Sequence, residues 1–114
     1  MDLEGVTFAS VANSEHGAID GQTRMVFAHA ENYLTATYAG GVVFGHVIAT
    51  QPEPNKLDML YHCVDAQGLL RAGQATAILG RSDGRRTMAL DWQWLTGDTE
   101  RGESYWVEVN EGEQ

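Results

Sequence analysis

Turn-forming clusters recur along this chain at strand-length intervals, and that rhythm limits its folds more than any other feature. The clusters are Asn13-Ser14-Glu15-His16-Gly17, Glu31-Asn32, Gly40-Gly41, Pro52-Glu53-Pro54-Asn55, Asp65-Ala66-Gln67-Gly68, Gly80-Arg81-Ser82-Asp83-Gly84 and Thr96-Gly97-Asp98. Glycine and asparagine supply positive φ there, and proline pre-sets φ. The segments left between these turns are about 7–12 residues long, the length of strands rather than of long helices. Consecutive short strands joined by tight turns must hide their edges, and a closed antiparallel meander does so. The expectation is therefore an all-β, eight-stranded up-and-down barrel formed by residues 1–114 as one domain. A two-layer sandwich of the same strands is the alternative. With 114 residues and 12.5 kDa, area scaling predicts a folded surface near ~6,200 Å² against ~18,000 Å² unfolded. That burial is enough for one core without staples.

Alternation supports the strands. Met88, Leu90, Trp92 and Trp94 alternate with Thr87, Ala89, Asp91 and Gln93, giving one apolar face. Leu34, Ala36 and Tyr38 do the same, as do Leu57, Met59, Tyr61 and Cys63. In 42–49 the larger set Val42, Phe44, His46 and Ile48 reads as the inward one, and near the C-terminus Tyr105, Val107 and Val109. Two stretches also tolerate helix. Thr23 could cap a run placing Phe27, Ala30, Leu34 and Tyr38 on one face, and Leu69 to Leu79 is alanine-rich, although Gly73 interrupts it.

Charge and cysteine content exclude several function classes. Acidic residues number 16 against 7 basic ones, a net charge of −9. A nucleic-acid binder needs a basic footprint, and an anionic membrane surface is disfavoured for the same reason. No stretch approaches the ~18 apolar residues of a spanning helix. Cys63 is the one cysteine, so no internal disulfide or multi-cysteine zinc site is available, and a buried structural thiol is the default. The acidic opening Met1-Asp2-Leu3-Glu4-Gly5 is unlike a secretory signal. A cytoplasmic location is expected.

Candidate chemistry is sparse. There is no P-loop, dinucleotide fingerprint or Gly-x-Ser-x-Gly elbow, and no cofactor is expected. The histidines His16, His29, His46 and His62 form no His-x-His or His-Glu-x-x-His motif, so spacing assigns no metal. No catalytic residue is assigned. The informative set is aromatic: Tyr38, Tyr61, Trp92, Trp94 and Tyr105 fall on faces read as inward, joined by Gln74 and Thr76. His46 shares the Phe44/Ile48 face, where a buried imidazole needs partners. Aromatic walls with a few polar handles suit small-ligand pockets. The lumen candidates are thus Tyr38, His46, Tyr61, Gln74, Trp92, Trp94 and Tyr105.

Several motifs together resemble a known family. They are Tyr38-Ala39-Gly40-Gly41 followed by Gly45-His46-Val47-Ile48; Leu57-Asp58 with Tyr61; and Gly68-Leu69-Leu70 with Gly73. Asp83-Gly84-Arg85, Trp92-Gln93-Trp94, Gly97-Asp98 and Gly102-Glu103-Ser104 are the most specific, and Asn13-Ser14 with Gly17 fits the opening turn. The chain resembles small bacterial proteins often labelled "N-acetylglutamate synthase". The resemblance implies a β-barrel of the avidin and lipocalin type with no settled activity. The chain departs from those relatives at Cys63, where they usually place a histidine, and at Leu90, where they usually carry a glutamate. The label itself finds no acetyltransferase motif. An acetyl-coenzyme A loop reads Arg/Gln-x-x-Gly-x-Gly/Ala before a helix. Arg81-Ser82-Asp83-Gly84-Arg85-Arg86 fails at its last position and precedes a strand-patterned segment.

The expected function is binding of a small apolar or aromatic ligand in the barrel lumen. The alternatives are a small isomerase or hydrolase with its site at the barrel mouth, and a solid-core interaction protein. Leu60, Val64, Leu69 and Trp106 are expected to point outward, and such apolar groups on an acidic barrel suggest a homo-oligomer, most simply a two-fold dimer with Trp106 near the contact.

Overall fold

The computed structural model describes residues 3–13, 23–40, 43–65, 67–97 and 99–109. Eight strands follow one another: β1 (Thr7–Asn13), β2 (Arg24–His29), β3 (Leu34–Gly40), β4 (Val43–Glu53), β5 (Lys56–Val64), β6 (Leu70–Ser82), β7 (Arg85–Trp94) and β8 (Arg101–Val109). Each pairs antiparallel with the next, and β8 pairs with β1, closing the barrel. There is no helix among the described residues. Both helix-tolerant stretches are strand, because a closed sheet pairs their backbones with neighbours on both sides. The total surface, 6408 Å², is close to the scaling expectation.

The connections follow the turn chemistry. Asp83 and Gly84 both take positive φ, 52° and 79°, between the paired Ser82 and Arg85. That is the two-residue hairpin that Asp-Gly favours. A strand follows it where an acetyl-coenzyme A loop would open a helix. Asn13–Gly17 lies outside the described residues beyond Asn13.

Directly opposed residues on neighbouring strands share a face, so register decides what is inside. On β3, β5 and β7 the expected faces are the buried ones: Leu34, Ala36, Tyr38; Leu57, Met59, Cys63; Met88, Leu90, Trp92, Trp94. On β4 the expectation is off by one residue. Tyr38 opposes Gly45, which turns Gly45, Val47 and Ala49 inward and leaves Phe44, His46 and Ile48 on the outer face. On β6, Tyr61 opposes Gly73, so Gly73, Ala75, Ala77 and Leu79 face in, and Gln74 and Thr76 face out. On β8, Leu90 opposes Ser104; Ser104 and Trp106 are inside, and Tyr105, 38% exposed, is outside. Three lumen candidates, His46, Gln74 and Tyr105, therefore lie on the exterior. Trp106, expected at an outer contact, is 0% exposed in the core.

The core differs between the two ends of the barrel. At the end carrying the β2–β3, β4–β5 and β6–β7 turns, Leu3 is fully buried in the core that includes Phe27, its segment held by Gly5 N–H to Phe27 O (2.9 Å) and Phe27 N–H to Val6 O (3.0 Å). Phe8 meets Phe27 edge-on with ring centres 5.7 Å apart. Trp106 donates its indole N–H to Ser104 Oγ at 3.0 Å. This end is closed by apolar packing with its buried indole satisfied.

Candidate functional site

The opposite end, carrying the β3–β4, β5–β6 and β7–β8 connections, is built on two tyrosine–glycine pairs. A Cβ at Gly45 would collide with the Tyr38 ring, and one at Gly73 with the Tyr61 ring. Each tyrosine therefore lies against the wall over a neighbouring strand that carries no side chain there. Gly45 opposes Cys63, Cys63 opposes Arg71, and Gly73 opposes Trp94. Register thus brings Tyr38, Cys63 and Arg71 into one row and Tyr61 and Trp94 into the next.

Trp94 is the centre of the group. Tyr61 meets it edge-on with ring centres 5.4 Å apart, and Trp92 lies tilted at 6.3 Å. The Arg71 guanidinium sits 4.0 Å above the Trp94 ring, within the range of a cation–π contact. It is anchored by donation from Nη2 to Thr96 O at 3.1 Å. Trp94 is 4% exposed, yet its Nε1 has no hydrogen-bond partner among the described residues. A buried donor left unpaired costs about 1–3 kcal/mol, so this orphan stands out against the satisfied indole of Trp106.

The titratable groups here are held neutral. Burial pushes Tyr38 and Tyr61 well above the ordinary tyrosine range, and the adjacent Cys63 adds to both shifts. Burial also pushes the Cys63 thiol up, against the lowering effect of its hydrogen bond with Tyr38. Asp65 reinforces the rise and Arg71 opposes it. A protonated thiol is a poor nucleophile, which fits the structural role expected of Cys63. The Tyr61 hydroxyl reaches Gln93 O at 3.4 Å. Asp65 accepts from Gln67 N–H (2.9 Å) and Leu69 N–H (3.0 Å) within its own turn. The two rows that face the lumen thus carry two neutral phenols, a thiol, an indole N–H and a guanidinium, of which the indole N–H alone is buried without a partner among the described residues.

Of the seven sequence candidates, the barrel brings together Tyr38, Tyr61, Trp92 and Trp94, and leaves His46, Gln74 and Tyr105 outside. Arg71 was missed. Its available signal is its spacing of two from Gly73, which places both on one face. A chain belonging to a known barrel architecture would close this way, and a family model described as avidin-like protein matches residues 1–109.

The chain belongs to the avidin-like family. No curated protein and no solved structure matches it.

The outer surface of this avidin-like barrel carries two further features. An open groove of about 520 Å³ crosses β4 to β8, with Ile48, Leu60, Gln74, Gln93 and Arg101 along it. Toward the Arg71 end, Phe44 opposes Val64 and Val64 opposes Leu70. All three are exposed, Leu70 at 82%, and Leu69 beside them is 61% exposed. Leu60, Val64 and Leu69 thus point outward as expected; Trp106 does not.

Proposed function

We propose that this barrel binds a small ligand at its Arg71 end, an aromatic or apolar body against Tyr38, Tyr61, Trp92 and Trp94 with a hydrogen-bond acceptor directed at Trp94 and Arg71. Avidin-like barrels typically bind small ligands. The observation that carries the reading is the Trp94 Nε1 donor, buried and unpartnered beside a guanidinium. A carboxylate or carbonyl oxygen supplies the acceptor that the Trp94 N–H lacks among the described residues, next to a guanidinium whose positive charge favours it, and charge-assisted bonds to Arg are the stronger kind. Neutral phenols and a protonated thiol complete a donor-rich surface that recognises an acceptor without a charge mismatch.

Thermal-shift and tryptophan-fluorescence titrations with aromatic carboxylates (benzoate, indole-3-acetate) and their uncharged counterparts (toluene, indole) test this. The carboxylates are expected to raise the melting temperature of wild type, with the shift reduced at least tenfold in apparent affinity in Trp94→Phe and in Arg71→Gln. Binding that survives both substitutions, or a wild type indifferent to every acceptor-bearing probe, overturns it.

We infer also that the chain self-associates as a dimer through the outer face of β4–β6, where Phe44, Val64 and Leu70 form one exposed apolar row, with the exposed Leu69 next to Leu70 in the chain. Contiguous patches of this sort mark contacts. Sedimentation at micromolar concentration is expected to show a dimer in wild type and a monomer in Leu70→Glu. A monomeric wild type ends the idea.

A further inference from the structure

Between the apolar rows of the outer face lies a row of different chemistry. His46 on β4 and His62 on β5 are directly opposed, so their side chains leave the sheet on the same side. Both are exposed. Their rings stack with centres 5.8 Å apart and planes inclined by 27°. Phe44 meets the His46 ring edge-on at 5.3 Å and limits its swing. Neither imidazole nitrogen set has a hydrogen-bond partner among the described residues. The row continues to Thr37 on one side and Ala72 on the other, neither of which carries charge.

We propose that His46 and His62 form a bidentate transition-metal site, taking Zn²⁺, Ni²⁺ or Cu²⁺ through one nitrogen of each imidazole, with water in the remaining positions. The geometry fits. A metal–nitrogen bond of about 2.0–2.1 Å places the ion roughly 3.2 Å from each ring centre. Two centres 5.8 Å apart then subtend about 130° at the ion, and a closure of about half an ångström brings the angle to the tetrahedral value. Because imidazole lone pairs lie in the ring planes and the stacked planes are only 27° apart, binding also turns each ring about χ2 until its plane contains the ion, a rotation open to exposed side chains on neighbouring strands. Imidazole suits all three ions. The chain's net charge of −9 raises the local concentration of cations. Sequence spacing could not show the site, because 15 intervening residues separate the two ligands in the chain and only strand register joins them.

The site lies on the outer face of the sheet, across the wall from the lumen rows of Cys63–Arg71 and Tyr61–Gly73, and does not rest on ligand binding inside the barrel. Isothermal titration of the untagged, metal-stripped full chain with ZnCl₂ and CuCl₂ tests it. One bound ion per chain is expected, with affinity falling at least tenfold in both His46→Gln and His62→Gln and staying within twofold in His29→Gln. Copper electron paramagnetic resonance of wild type is expected to show coupling to two imidazole nitrogens, reduced to one in either substituted chain. One ion per two chains, lost in His46→Gln and in His62→Gln, keeps both ligands and adds the same pair from a second copy across the outer face of β4–β6 proposed for self-association. Absence of binding, or binding equal in wild type and both histidine variants, overturns the site. All three histidine variants lie on the exposed face or at an exposed strand end, and circular dichroism checks that each retains the barrel.

Discussion

Two tryptophans, one at each end of the barrel, occupy equally buried positions and are treated differently by their surroundings. Trp106 gives its N–H to Ser104 at 3.0 Å inside an apolar plug. Trp94 lies under a guanidinium with its N–H unmatched among the described residues. A side chain that only packs can be satisfied by the chain itself, and selection for stability alone leaves few buried donors orphaned. The contrast separates an indole satisfied by the chain itself from one whose N–H has no partner among the described residues, and the proposed ligand reading rests on the second.

The largest expected effect probes the closed end. Trp106→Ala should cost about 3–5 kcal/mol, as for other buried aromatics; Trp92→Ala should fall in the same range, since Trp92 is buried in the lumen wall. Urea denaturation measures both. A loss below about 1 kcal/mol for Trp106→Ala would erase the difference between the ends.

Gly73→Ala should cost about 1–3 kcal/mol, the usual range for overpacking, because the new methyl meets the Tyr61 ring. Combining it with Tyr61→Ala should recover part of that loss in a double-mutant cycle. Simple additivity would mean that the ring is not held against Gly73.

Alkaline pH sharpens the comparison from another side. The folded-state pKa of Tyr38 is raised by burial, so the folded chain holds its proton more tightly than the unfolded one. The associated stability is complete below the unfolded tyrosine value of about 10 and declines above it, by up to about 1.4 kcal/mol per pH unit for this group. Tyr38→Phe should flatten the fall of denaturation midpoint between pH 10 and 11.5. An unchanged slope would place Tyr38 in contact with water.

The smallest effect is the most discriminating. Ser104→Ala leaves the Trp106 N–H without its acceptor and should cost about 1–2 kcal/mol. Trp94→Phe removes an N–H with no partner among the described residues, so its stability loss should be smaller than that of Trp106→Phe by about 1 kcal/mol. Equal losses in these two substitutions would dissolve the distinction between the ends.

Legibility in the sequence followed how each strand divides its large and small residues. On β3, β5 and β7 the large apolar residues are the inward ones, so alternation alone located Tyr38, Tyr61, Trp92 and Trp94. On β4 and β6 the inward positions include Gly45, Ala49, Gly73, Ala75 and Ala77, and at Gly45 and Gly73 the Tyr38 and Tyr61 rings occupy the space a side chain would fill. Judging by size there reverses the faces and puts His46 and Gln74 inside. On β8 the pairing of Ser104 with Trp106 is a hydrogen bond between residues two apart, and reading Tyr105 as the inward aromatic reversed that face as well. Arg71 escaped notice because a charged residue at a strand end ordinarily faces water.

By itself the sequence determined strand number, turn placement, the antiparallel meander and the two sets of alternating residues on each strand, because turn chemistry and period-2 patterning are local properties of the chain. Which set faces the lumen on β4, β6 and β8, the gathering of Tyr38, Tyr61, Trp94 and Arg71 at one end, and the opposition of His46 to His62 were decided only by tertiary structure. Those depend on register between strands, and register follows from how side chains on different strands share a fixed interior volume, a constraint that no single segment carries.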